Sequence, residues 1–125
     1  MKKKPSTISI VGAGLVGSLL SIYLAKRGYK VVVNRRGDDA IKTIGDKSQV
    51  FDLIFLDMML PGTNGISVIK VIQQAQPKAK VVIVTAYPKS DISLQSMGSS
   101  VTLLPKPFNL RDIEQITKRL LETPA

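Results

Sequence analysis

Short apolar runs rich in β-branched residues alternate along this chain with stretches of helical period, and few folds satisfy that pattern. The runs are Thr7–Val11, Lys30–Val33, Asp52–Leu56, Lys80–Val84 and Val101–Leu104. Each is nearly continuous in hydrophobicity, as expected of strands covered on both faces. Strands of that kind separated by helices form a parallel sheet with helices on either side. The pattern therefore predicts a three-layer, doubly wound (βα)5 domain. The sheet order expected is 2-1-3-4-5, with the first and fifth helices on one face and the middle three on the other.

Five helices are expected between and after the strands. Leu15–Arg27 carries Val16, Leu19, Leu20, Tyr23 and Leu24 on one face, and Asp39–Lys47 follows a capping candidate at Asp38. Gly65–Ala75 buries Ile66, Ile69 and Ile72 and stops before Pro77. Ser90–Met97 has serines that suit turns as well as helix, so the segment from Pro88 to Ser100 is expected to be the most mobile. Leu110–Leu121 opens at Asn109 with Asp112 three residues on, and turns Ile113, Ile116 and Leu120 inward. There is no repeat and no linker. All 125 residues are read as one domain.

Composition narrows the chemistry. The chain has no cysteine and no histidine. Disulfides, thiolate nucleophiles, Cys/His zinc sites and the usual neutral-pH base are thereby removed. Any metal would be a hard cation held by oxygens. The net charge of +9 is scattered, with only Lys2-Lys3-Lys4 forming a run, and aromatic residues make up 5%. Specific nucleic-acid binding is therefore not expected. No apolar run reaches the roughly 18 residues of a membrane span, and the basic start runs into glycines rather than a signal core. The expectation is a cytoplasmic protein that is not an enzyme.

Three residues stand where strands end, the edge at which open α/β sheets place their ligands. They are Asp57, Thr85 and Lys106. A carboxylate there can attack phosphorus, while a hydroxyl and an ammonium bind phosphoryl oxygens. The strings Leu56-Asp57-Met58-Met59-Leu60-Pro61-Gly62-Thr63-Asn64-Gly65, Val84-Thr85-Ala86 and Leu104-Pro105-Lys106-Pro107-Phe108 resemble those of response-regulator receiver domains, over about Val50 to Leu121. The resemblance implies a flavodoxin-like fold and two-component signalling. It makes Asp57 the phosphoacceptor, Thr85 the switch hydroxyl and Lys106 the phosphate-contacting lysine. The Met59 carbonyl would face Mg²⁺, and a histidine kinase would be the partner if that chemistry survives. The family's two acids after the first strand are missing, with Gly12 and Ala13 in their places, and Leu103 stands where many receivers have an aromatic switch. Asp57 is accordingly read as a vestigial acceptor with poor magnesium affinity.

The opening carries another signature. Gly12-Ala13-Gly14-Leu15-Val16-Gly17 is a GxGxxG sequence between a strand and a helix. Its glycines allow a tight turn, close approach of a pyrophosphate, and close packing of helix on strand. Together with Leu24-Ala25-Lys26-Arg27-Gly28-Tyr29, it resembles the start of FAD-dependent monooxygenases of the kynurenine 3-monooxygenase type, from roughly Ser6 to Arg36. Arg35 stands where those enzymes have a ribose-binding acid, which disfavours FAD and NAD and would suit the 2′-phosphate of NADP.

Two signatures meeting near Asn34–Ala40 suggest an engineered or recombined chimera. Residues 1–36 would be a Rossmann-like unit and residues 37–125 a receiver-like segment. Such a chimera would retain no native activity, hold no cofactor and have no specific partner. Three alternatives stand beside it: a phosphorelay receiver acting through Asp57, a nucleotide- or phosphate-binding module using Gly12, Gly14, Gly17 and Arg35, and a receiver that signals without phosphorylation.

Overall fold

A computed structural model describes residues 6–16, 19–86 and 101–121. In chain order the elements are β1 (Thr7–Val11), α1 (Ala13–Val16), α2 (Leu19–Lys26), β2 (Lys30–Asn34), α3 (Gly37–Gly45), β3 (Leu53–Asp57), α4 (Gly65–Ala75), β4 (Lys80–Thr85), β5 (Val101–Pro105) and α5 (Leu110–Leu121). All five strands pair in parallel, in the order β2-β1-β3-β4-β5. This is the sheet that the alternating pattern predicts.

Strand alternation divides the core in two. Ile8, Ile10, Leu53, Phe55, Val82 and Val84 project to one face, where they meet Leu15, Leu20, Leu24 and Ile113. Val11, Ile54, Leu56, Val81 and Ile83 project to the other, against Ala40, Ile44, Val68, Ile69 and Ile72. α1, α2 and α5 thus cover one side, and α3 and α4 cover the other. Full burial of each large aliphatic side chain contributes about 1.5–3 kcal/mol. The central strands β1, β3 and β4 carry most of that burial.

Several boundaries differ from the expected ones for identifiable reasons. Strands β2 to β5 each run one residue further, because ladder pairing includes Val11 with Asn34, Asp57 with Val84, and Thr85 with Pro105. β3 also begins at Leu53 rather than Asp52, whose carboxylate accepts from the Thr7 N–H at 2.8 Å. α3 begins at Gly37 and ends at Gly45, instead of spanning Asp39–Lys47. Asp38 is not its cap. The Gly37 N–H donates to the Pro61 carbonyl at 3.0 Å, so a neighbouring loop satisfies the helix start, and Asp38 pairs with Arg36 instead. At the other end Asp46 accepts from the Ser48 backbone and hydroxyl, turning the chain out of the helix. Over the span of the first expected helix, the described residues are helical at Ala13–Val16 (α1) and Leu19–Lys26 (α2). Ser90–Met97, and with it the mobility expected from Pro88 to Ser100, lies outside the described residues.

α4 and α5 have the expected limits. Asn64 caps α4 by accepting from the Ser67 N–H at 3.0 Å. Asn109 and Asp112 exchange side-chain-to-backbone bonds at 2.9 Å, a reciprocal capping box at the start of α5. Val68 joins Ile69 and Ile72 in the core, while Ile66, Ile116 and Leu120 are half-buried. Among the described residues, no helix is long and apolar enough to cross a membrane.

Candidate functional site

Parallel strands all end on the same edge, so this topology gathers β1, β3, β4 and β5 termini into one place. Asp57 closes β3, Thr85 closes β4, and Lys106 follows β5 directly. Their backbones are tied together. The Met58 N–H donates to the Val84 carbonyl at 3.2 Å, and the Lys106 N–H donates to the Thr85 carbonyl at 2.9 Å. The Lys106–Pro107 peptide is cis.

The Lys106 ammonium lies 3.2 Å from Asp57 Oδ1 and 3.0 Å from Oδ2. Oδ1 also accepts from the Met59 N–H at 2.9 Å. The Asp57 side chain is only 6% exposed, against 34% for Lys106, so a nearly buried carboxylate is matched by one cation reaching in from the surface. Such a pair needs good geometry to offset the loss of hydration, and two short contacts to one ammonium supply it. Thr85 is buried beside this pair on the neighbouring strand. The structure thus brings together the three strand-end residues read from the sequence.

The glycine motif approaches the same place from β1. Gly12 has φ +131°, a backbone conformation closed to most side chains, and its N–H donates to the Asn34 carbonyl at 2.8 Å. A Cβ placed on Gly12 would stand 2.6 Å from Asp57 Cβ, and one on Gly14 would stand 3.8 Å from Asp57 Oδ2. The turn therefore packs its backbone directly against the acidic residue. From the sequence, Gly12 stands both where receivers keep an acid opposite the phosphoacceptor and at the start of a dinucleotide motif; the direct packing of its backbone on Asp57 is what the fold adds.

The packing gives Gly12 a role beside Asp57 that needs no dinucleotide. Arg35 is exposed just beyond β2, next to Arg36, which pairs with Asp38 at 3.1 Å. Gly17 lies outside the described residues.

The residues present fit a divalent cation poorly. Such an ion wants several oxygen ligands at once. Both Asp57 oxygens already face Lys106, and the Met59 group engaged with them is its N–H rather than its carbonyl. Among the described residues, no three acidic side chains converge where a metal could sit.

Comparison with known proteins follows the same geometry. The model of the response regulator receiver domain matches residues 14–118. The transcriptional regulatory protein RstA of Escherichia coli (strain K12) is 34% identical over 122 residues, a match covering 86% of this chain and 50% of RstA. Sporulation initiation phosphotransferase F of Bacillus subtilis (strain 168) is 30% identical over 104 residues, covering 82% of each chain. The response regulator TrrA from Thermotoga maritima, solved in complex with Mg(2+)-BeF, superposes with a TM-score of 0.74 at 26% identity, covering 94% of this chain and 99% of that one. The chain thus spans about half the length of RstA and most of the sporulation protein. The family match crosses the junction expected near Asn34–Ala40 and takes in α1, α2 and β2. Nothing in these comparisons supports a flavoenzyme fragment or a chimera. The two folds share a β-α-β opening, which is why a glycine turn suited to one could be read as the other. On the family match and the strand-end site together, this chain belongs to the response regulator receiver domain family.

Proposed function

We propose that the chain is a receiver module of two-component signalling, and that Asp57 takes a phosphoryl group from a histidine kinase or a small phosphodonor. The observation that carries this reading is the Lys106 ammonium on both oxygens of Asp57, at the sheet edge that also presents Thr85. In the reaction one carboxylate oxygen attacks phosphorus as the bond to the donor nitrogen breaks, and the donor leaves with a proton. The ammonium that now faces the carboxylate would follow the negative charge onto the phosphoryl oxygens, with the Thr85 hydroxyl as a further donor. The match to half of RstA fits a module that passes its state to an effector domain.

A second reading is favoured by one observation, the 6% exposure of the Asp57 side chain. On that reading the ion pair is permanent and the module signals through protein contacts alone. Intact-mass measurement after incubation with phosphoramidate separates the two. A single phosphoryl increment that is absent in Asp57→Asn is the expected result. No increment under any ionic condition would overturn phosphoryl acceptance and leave the second reading.

A further inference from the structure

The magnesium ion bound beside the acceptor in other receivers finds no complete set of ligands here, and the reason lies deeper than two missing acids. We propose that the Gly12–Gly14 turn itself closes this site to a divalent cation, leaving the Lys106 ammonium as the cation that, among the described residues, Asp57 meets. The inference rests on reading Asp57, Thr85 and Lys106 as a receiver site, and concerns what balances its charge.

Three independent observations carry it. The first is steric. β1 passes into α1 with Gly12 at φ +131°, and any Cβ there would lie 2.6 Å from Asp57 Cβ. Contacts that short are not sustained between carbon atoms, so a side chain at position 12 must displace the turn or Asp57. An acid at 12 would therefore disturb the carboxylate that it is meant to assist. The turn is also fixed from behind, by the Gly12 N–H on the Asn34 carbonyl and the Leu15 N–H on the Gly12 carbonyl. It has little freedom to move away.

The second observation is the state of the carboxylate. Both oxygens are engaged, Oδ1 by the Met59 N–H and Lys106, and Oδ2 by Lys106. A cation binding there would have to expel an ammonium at 3.0 Å and shed its own water in a space where the side chain is 6% exposed. A small divalent ion gives up water reluctantly, and a single carboxylate is poor compensation. The third is the absence of supporting charge. Among the described residues, no cluster of three acids is available. A Cβ on Gly14 would reach only ordinary contact with Oδ2, at 3.8 Å, so the steric block is at Gly12.

The site is thus self-neutralised, with one carboxylate, one ammonium and a backbone wall. Its response to an incoming phosphoryl group should be indifferent to magnesium.

The test is a manganese(II) chloride titration through the millimolar range, followed by paramagnetic broadening of the amide resonances of Asp57, Met59 and Lys106, with magnesium chloride as competitor. The wild-type chain, Ala13→Asp and the double variant Gly12→Asp/Ala13→Asp are compared. The expected result is no saturable, magnesium-reversible broadening at these amides in any folded protein of the set. Were the missing acids the whole explanation, restoring both would restore binding. Saturable broadening in the double variant, or in the wild type, would overturn the proposal. The double variant could fail to fold, because of the strain at position 12. Ala13→Asp then decides, since Ala13 is exposed and its substitution leaves the Gly12 contact intact. Saturable binding there would overturn the proposal, and its absence supports it. Cation binding is read here without phosphorylation, so failure of this inference is distinct from failure of Asp57 to accept a phosphoryl group.

Discussion

Asp57 and Lys106, 49 residues apart, form one two-point contact in which a single ammonium faces both oxygens of a nearly buried carboxylate. Removing Lys106 leaves the buried carboxylate with one backbone hydrogen bond, from the Met59 N–H, which costs more than the pair is worth. Lys106→Met should therefore destabilise the fold by about 1–3 kcal/mol, toward the low end because Lys106 is partly exposed. The double variant Asp57→Asn/Lys106→Met should recover much of that loss. Urea denaturation of the four proteins in the cycle measures the coupling, and additive effects would contradict it.

Gln76 is a second long-range connection. Its Oε1 accepts from the Phe51 N–H at 3.2 Å, and its Nε2 donates to the carbonyls of Ile44 and Gln49 at 3.2 and 2.7 Å. One buried amide thus joins the end of α3, the entry to β3 and the end of α4. Gln76→Leu would leave backbone groups buried without partners. A loss of about 2–3 kcal/mol is expected, with urea unfolding as the measurement. Gln76→Glu should be similarly harmful, because it loses the two donors.

The capping box of α5 predicts a smaller effect. Asn109→Ala should cost about 1 kcal/mol, the usual loss on removing a helix cap. Amide exchange should quicken in the first turn of α5 and remain unchanged in β1 and β3. A loss of protection spread evenly over the sheet would mean that the box does more than hold the helix start.

Ser9 predicts the opposite sign. Its hydroxyl is fully buried in β1 and has no hydrogen-bond partner among the described residues. Ser9→Ala removes an unsatisfied polar group without opening a large cavity, so stability should be unchanged or higher by up to about 1 kcal/mol. Thermal unfolding would reveal a decrease if the hydroxyl were satisfied in solution.

The pH dependence of the α3–β3 turn follows from Asp46. The Ser48 side-chain hydroxyl, and then its backbone N–H, hold the Asp46 carboxyl below its ordinary value of 3.8. A carboxyl lowered in the folded state stabilises above its unfolded value, and that contribution is lost as pH falls through the folded value. Acidification should thus loosen this turn only below the usual carboxylate range. Ser48→Ala should move the midpoint up, as read from the side-chain carbonyl shift of Asp46.

The sequence by itself determined the layers, the sheet order and the three strand-end residues. Periodicity of apolar residues is local, and a parallel βα pattern has few ways to cover both faces of a sheet. Hence α4 and α5 were legible to the residue: Asn64 and Asn109 are caps whose chemistry needs only their own helix. Where a distant segment supplies a bond, local reading failed. α3 starts at Gly37 because the Pro61 carbonyl, from another loop, receives its N–H, which no pattern around Asp38 can encode. Nothing in the sequence around Gln76 marks it out, and only packing placed its amide among three backbone segments. Tertiary structure also decided the meaning of Gly12. In sequence it opens a phosphate-binding motif. In the fold, strand register carries it past Asp57 at a separation only backbone can occupy, so the same glycine packs against the carboxylate.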